Sequence, residues 1–272
     1  MKVGVTVSTY VMSDIHACFS ELQVMLEQIN FSKVDRLILA GDYIDRGEQN
    51  YEMLKWIENC PDNIILLRGN HEEEFAYCID LLQVIFKKNN LDTHSYEDMV
   101  TAYVMMKELA AGKGKQMAAF DYYGTIGKLM IENSVCMEQL ERWRERIRSM
   151  PFVFKASIAG KNCVVVHAGY IENLDGVETE DHFDSVEDFY LYARDDAYIC
   201  GGIEHGIVVA GHTPTCLPDE LPYNEGNVYR FYDKELDCVF YDIDCGCCQR
   251  GKIVGAKLAC IRLEDERIFY VK

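Results

Sequence analysis

Basic residues are scarce in this sequence. Its 272 residues carry 27 Lys and Arg against 45 Asp and Glu, a formal net charge of -18 at pH 7. Such a field repels phosphate backbones at long range, which excludes general nucleic-acid binding driven by counterion release, though a single anionic group can still be captured locally. No eighteen apolar residues run together and no cluster of Lys or Arg marks an anchoring patch, so no membrane partner is expected. The opening stretch MKVGVTVSTYVM holds one Lys and leads straight into Ser13-Asp14, without the apolar run of a signal peptide. It reads as a first β-strand, and the protein is expected to be soluble and cytoplasmic. Internal repeats, low-complexity tracts and Pro/Ser-rich linkers are also missing, so a single domain over residues 1–272 is expected. The sequence carries no signal for oligomeric state.

Cysteine is not scarce, but grouped cysteine is. The twelve thiols sit mostly singly in apolar stretches, the usage of a reduced cytosolic protein. The one cluster, Cys245-Gly246-Cys247-Cys248, lacks the second pair that a structural zinc site needs and reads as packing thiols.

What is present is an alternation of β-rich runs with helical patterns, the signature of successive βαβ units. The first run ends near Met12, the second is Arg36 to Ala40, and the third is Asn63 to Leu67, with helical stretches at Ser20 to Asn30 and Tyr51 to Glu58. From residue 73 to about 150 the patterns are helical, at Glu73 to Lys88, Tyr96 to Ala111 and Met137 to Ile147, which predicts a helical cap inserted into one fold. Strand patterns return at Phe152 to Ala159, Cys163 to Val166, Ile207 to Ala210, Val228 to Tyr232, Cys238 to Ile243, Ile253 to Leu263 and Ile268 to Val271, predicting a second sheet.

Each early run ends in a polar cluster: Ser13-Asp14-Ile15-His16, Gly41-Asp42, and Gly69-Asn70-His71. Ligands of α/β sheets gather at the carboxyl ends of strands, so these clusters should converge. His167 in VVVHAG and His212 in VAGHT occupy the same context. Asp14 and His16, two apart, would share one side of an extended segment and grip one ion. Carboxylate, amide and imidazole without thiolate suit a borderline divalent ion such as manganese, iron or zinc. Any one of these positions read alone is more readily a turn, a cap or a core histidine. Six together, Asp14, His16, Asp42, Asn70, His167 and His212, make that reading improbable. The adjacent Gly41, Gly69, Gly169 and Gly211 would permit close backbone approach beneath the ions.

The segments SDIHACFSEL, GDYIDRG, LRGNHE, VVVHAG and AGHT resemble the ordered motifs of the calcineurin-like metallophosphatases, and GDYIDRG with LRGNHE resembles their phosphoprotein phosphatase branch. The ending IDCGCCQRGKIVGAKLACIRL is similar to the closing hairpin of that branch. This resemblance implies an α/β fold of two packed mixed sheets flanked by helices, and two divalent transition metal ions, manganese first and iron or zinc otherwise. Asp14 and His16 would hold the first ion, Asp42 would bridge, and Asn70, His167 and His212 would hold the second. His71 would be the general acid with Asp45 bonded to it. Arg46 and a later arginine, Arg194 in preference to Arg230, would bind the phosphate. Ser13 and Ala17 stand where the family usually has glycine, which would loosen the first metal site.

The implied reaction is hydrolysis by direct attack of an activated water, without a covalent intermediate. A phosphoserine or phosphothreonine protein is the expected substrate, and a symmetric dinucleoside tetraphosphate, a small phosphate ester of the same branch, is the alternative. A binding protein that has lost catalysis is the remote third case, since every ligand position is filled. Arg68 is either a source of positive potential or a structural ion-pair partner. His94, His182 and His205 are expected on the solvated surface, and Glu72-Glu73-Glu74 at the start of a helix, with no ligand role for Glu72.

Overall fold

A computed structural model describes residues 7–111, 120–218 and 222–272. Among the described residues, ten strands form two five-stranded sheets. The first sheet contains β1 (Thr9–Met12), β2 (Arg36–Leu39), β3 (Ile64–Leu66), β9 (Leu258–Arg262) and β10 (Arg267–Val271), in the order β10-β9-β1-β2-β3. Its β1, β2 and β3 run parallel, and β9 and β10 close it antiparallel. The second contains β4 (Val153–Ile158), β5 (Lys161–Val166), β6 (Gly206–Ala210), β7 (Tyr229–Asp233) and β8 (Cys238–Asp242), in the order β4-β5-β6-β8-β7, with β5, β6 and β8 parallel.

Side chains alternate along these strands, and both faces find apolar partners. In β1 and β2, Val11 and Ile38 point toward the second sheet and meet Val165 and Val209, while Met12, Leu37 and Leu39 point outward beneath helices. In β5 and β6 the odd residues face the first sheet and Val164, Val166 and Val208 face the opposite side. Burial on both faces explains why these strands are continuous apolar runs rather than alternating ones. The result is the expected four-layer arrangement, helices outside two packed sheets.

The helices covering the first sheet are α1 (Phe19–Gln28), α2 (Asn50–Glu58), α3 (Asn70–Asn89), α4 (Tyr96–Ala111), α5 (Thr125–Glu132) and α6 (Met137–Arg148); α7 (Val186–Tyr192) and α8 (Asp196–Ile199) cover the second. Helix α3 carries Glu72 and Glu73 in its first turn and Lys87 and Lys88 in its last, matching the helix dipole, and ends at Asn90 with φ 51°. The helices of the 73–150 block share one apolar cluster with the first sheet, through Phe75, Met99, Leu129 and Trp143. Among the described residues, no helix is long and apolar enough to cross a membrane.

Three local expectations change. The first strand is described only from Thr9, and residues 1–6 of that expectation lie outside the described residues. The run predicted from Ile253 begins only at Leu258, because Gly255 at φ +89° turns the chain and the Lys257 N–H bonds back to the Cys245 carbonyl at 2.9 Å. Helices α5, α7 and α8 were not expected, being four to eight residues long and too short for a 3.6-residue period to register.

Candidate metal centre

The carboxyl ends of β1, β2, β3, β5 and β6 lie together, and each delivers its polar residues to one place. Asp42 is the junction. Its Oδ2 lies 3.6 Å from His16 Nε2 and its Oδ1 lies 3.4 Å from His167 Nε2, so the two oxygens face different imidazoles. Asp42, His167 and His212 could hold one ion and His16, Asp42 and His71 form a second such group. Asn70 Oδ1 completes the first group, 2.8 Å from His167 Nε2 and 3.1 Å from His212 Nδ1.

Hydrogen bonds to the far side of two rings set their orientation. His16 Nδ1–H donates to the Ile44 carbonyl at 2.9 Å and His167 Nδ1–H donates to the Ala40 carbonyl at 2.9 Å, leaving both Nε2 lone pairs aimed inward. His167 Nε2 then faces Asn70 Oδ1 acceptor to acceptor, an arrangement that calls for a cation between them. Asp14 Oδ1 and His16 Nε2, 4.0 Å apart and buried, have no hydrogen-bond partner. Orphaned buried polar atoms are costly unless a ligand satisfies them, so both halves of the centre fit divalent ions.

Electrostatics agree with that fit. Burial keeps the imidazoles of His16 and His212 neutral, the form that ligates. Burial also works against the charge of Asp42, but His167, His71, His16 and His212 outweigh it and hold its carboxyl well below the usual range. Burial raises Asp14, with His167 pulling the other way.

The backbone here is strained. Asp14, His16, Ala17, Asp42, Asp45, Arg46 and His212 all have φ between 46° and 75°. Asp14 and His16 are therefore not in an extended segment, as their spacing suggested; the left-handed turn after β1 brings Asp14 Oδ1 within 4.0 Å of His16 Nε2. Ala17, at φ 54°, occupies a conformation in which glycine costs less, which explains the family's usual residue. Non-glycine residues in this region cost on the order of 1–3 kcal/mol each and persist where surrounding structure dictates them.

Gly211 shows how tightly the centre closes. A Cβ there would stand 2.0 Å from Asp14 Oδ2 and 2.5 Å from Ser13 Oγ. Gly211→Ala should displace Asp14, remove at least one bound metal equivalent and destabilise by about 1–3 kcal/mol. Metal analysis and thermal melting check this, and unaltered metal content would show that Asp14 can yield. Gly69 is similarly confined, since its Cβ would meet Asp42 Oδ1 at 2.3 Å. Gly169 serves differently from expectation: its missing Cβ makes room for Phe189, Ala193 and Ala197 of the α7–α8 layer, not for an ion.

Beside the ligands, His71 Nδ1–H donates to Asp45 Oδ2 at 2.6 Å and His71 Nε2 lies 3.2 Å from a guanidinium nitrogen of Arg46. Burial opposes a charge on His71, yet Asp42 and Asp45 push its pKa from 6.5 up to about 9. A folded value above the unfolded one stabilises the protein fully below about pH 6.5 and ceases to do so above about pH 9. The metal-free protein should therefore lose on the order of 3 kcal/mol between pH 6.5 and 9.5, and His71→Asn should flatten that slope. Urea midpoints at the two pH values measure it; a level profile in the wild type would disprove the shift.

Arg194, following α7, approaches Thr213 Oγ1 at 3.5 Å beside His212. Arg230 is exposed on β7 and bonds to Tyr241 Oη, so Arg194 is the arginine placed at the centre. Arg68 is structural: it pairs with Glu73 at 2.9 Å, donates to the Arg148 and Met150 carbonyls and covers Phe152. His94, His182 and His205 are exposed.

Two contributors, Thr125 and Tyr123, escaped the sequence, and a third, Glu72, was read only as an acid at the start of a helix. Glu72, fully buried, caps α3 at the Gly69 N–H and also accepts the N–H groups of Asp42 and Tyr43 at 2.7 and 2.8 Å, clamping the bridging loop to the helix. Burial and Asp42 push its pKa up to about 8. Thr125 donates its hydroxyl to Asp45, and Tyr123 lies over His71 with its hydroxyl accepting from Arg46 Nε at 3.3 Å. Only the place of Glu72 in the first helical turn was readable, from the favour that the helix dipole gives acids there.

Residues 7–247 match the profile of the calcineurin-like phosphoesterases. The chain belongs to that family. Among curated relatives, this phosphoesterase is 36% identical over 85 residues to the symmetrical bis(5'-nucleosyl)-tetraphosphatase of Actinobacillus succinogenes, covering 31% of each chain. It is 44% identical over 66 residues to the one of Vibrio campbellii, covering 24% of this chain and 25% of that one. The matches thus span a third or less of those relatives. Among solved structures, a candidate diadenosine tetraphosphatase aligns over 98% of this phosphoesterase and 94% of its own chain, with a TM-score of 0.53 and 16% identity. A protein serine/threonine phosphatase from Saccharomyces cerevisiae aligns over 99% and 80%, with 0.54 and 12%. Both show a shared fold.

Proposed function

We propose that this phosphoesterase hydrolyses symmetric dinucleoside polyphosphates, with diadenosine tetraphosphate as the type substrate. The observation that carries phosphate-ester hydrolysis is Asp42, one carboxylate facing two separate ligand groups. The substrate class is supported by the activity named for the bacterial relatives, which moves the dinucleotide ahead of the phosphoprotein expected from the motifs.

Asp14, His16 and Asp42 would hold one divalent ion and Asp42, Asn70, His167 and His212 the other, manganese being the first choice and iron or zinc the next. Such ions supply an acidified water and positive charge against the phosphoryl oxygens. Arg46 and Arg194 add planar forks of donors that fix those oxygens for in-line attack. His71, bonded to Asp45 at Nδ1, would carry its proton on Nε2 and give it to the departing oxygen once the Arg46 guanidinium turns from Nε2 to the phosphoryl oxygens. Asp45, bonded to Nδ1 and braced by Thr125, orients the ring and stabilises its charge. The 73–150 helices act as a cap of the same domain, continuous with the first sheet through their common apolar cluster. Twelve free thiols support a reducing, cytoplasmic setting.

Steady-state assays with added manganese test the substrate. A preference of roughly a hundredfold in kcat/KM for diadenosine tetraphosphate over a phosphopeptide, about 2.7 kcal/mol, is expected. Equal or faster turnover of the phosphopeptide would restore the protein phosphatase reading. Less than one metal equivalent after loading would point instead to a non-catalytic binding protein.

A further inference from the structure

The loop before α5 holds two aromatic rings beyond the proton donor. Tyr123 lies tilted over the His71 imidazole, centroids 5.3 Å apart, and Tyr122 meets Tyr123 edge-on at 4.9 Å. Tyr122 is 69% exposed. Tyr122 lines one small cavity together with Asp45, the partner of His71.

The loop that carries them is braced from both ends. The Asp121 carboxylate accepts the N–H groups of Ile126 and Gly127 at 2.9 and 3.2 Å and the Tyr103 hydroxyl at 2.7 Å. Lys107 Nζ donates to the Phe120 and Asp121 carbonyls at 2.8 and 3.0 Å, and Thr125 ties the far end to Asp45. The braced loop fixes Tyr123, tied to Arg46 Nε through its hydroxyl, and sets Tyr122 edge-on to it, so the pair loses less conformational entropy when a flat group lands on it than rings on a free loop would.

Its position names the occupant. His71 protonates the departing oxygen, so whatever is attached to that oxygen leaves the centre past Tyr123 toward Tyr122. A chain of net charge -18 has little positive potential to spend on a second anionic group, whereas a neutral π-face attracts a nucleobase whatever the sign of the field. The geometry points to Tyr122, backed by Tyr123, as the stacking subsite for the base of the leaving nucleotide. This rests on the dinucleotide reading above.

The manganese-loaded protein is assayed with diadenosine tetraphosphate and with inorganic tetraphosphate, which has the anionic chain and no base. In Tyr122→Ala the ratio of kcat/KM for the two should fall roughly tenfold or more, through KM, and Tyr122→Trp should restore it. Calorimetric titration with ADP and with pyrophosphate gives a readout independent of turnover: the wild type should prefer ADP and Tyr122→Ala should lose that preference. If diadenosine tetraphosphate is preferred over the phosphopeptide but Tyr122→Ala changes neither ratio, the subsite is wrong and the substrate stands. If the phosphopeptide is preferred, the substrate is wrong and the titration alone decides: loss of the ADP preference upholds a base-binding surface, and equal ADP and pyrophosphate affinities in the wild type overturn it.

Discussion

His71→Asn is expected to keep both metal equivalents while cutting turnover of a substrate with a poor leaving group by roughly 10²–10⁴. The backbone N–H of residue 71 still donates to Asp42 Oδ1, at 3.1 Å in the wild type, so the bridging carboxylate keeps that anchor. What goes is the proton at Nε2. β-Glycerophosphate, whose alkoxide departs only with a proton, should show the full loss. p-Nitrophenyl phosphate, whose phenolate departs unaided, should lose far less. Equal losses on both would mean that His71 positions substrate and does not donate the proton. Asp45→Asn should imitate the effect on the poor substrate, since Nδ1 would face an amide in place of a carboxylate at 2.6 Å.

Asp42→Asn is expected to lower bound metal from two equivalents to one or fewer and to reduce turnover about 10³-fold or more on every phosphate ester, good leaving group or poor. The change keeps shape and removes one charge. That charge is central because both carboxylate oxygens are engaged, one toward His16 and one toward His167, and among the described residues Asp42 is the acid common to both groups. The loss corresponds to the several kcal/mol that a second ion contributes to a phosphoryl-transfer transition state. A folded variant that holds two equivalents and turns over normally would remove Asp42 from its bridging position. Unlike His71→Asn, it should show no dependence on the leaving group, which separates the two roles by kinetics alone.

These two side chains also mark what local sequence can and cannot convey. Asp42 stands one glycine behind the run Leu37-Ile38-Leu39-Ala40, and a polar residue following a buried strand is visible from the run itself. The same holds for Asp14, Asn70, His167 and His212, which is why these candidate positions and the strands that carry them were readable. The turn that unites Asp14 with His16 was not, since extended and left-handed backbones place residues two apart differently and spacing alone does not choose between them.

By itself, then, the sequence determined two groups of strand patterns, a helical block between them, and six candidate ligand positions at strand ends, because each follows from residues close together in the chain. Only the tertiary structure decided the rest. Thr125 reaches Asp45 across 80 positions, Glu72 clamps Asp42 and Tyr43 across about 30, and Tyr123 meets His71, with Tyr122 edge-on to Tyr123, because Asp121 and Lys107 brace their loop. Gly169 likewise found its partners in α7 and α8 rather than in an ion. Such contacts are set by how layers pack, and packing brings together residues that no period or spacing in the chain relates.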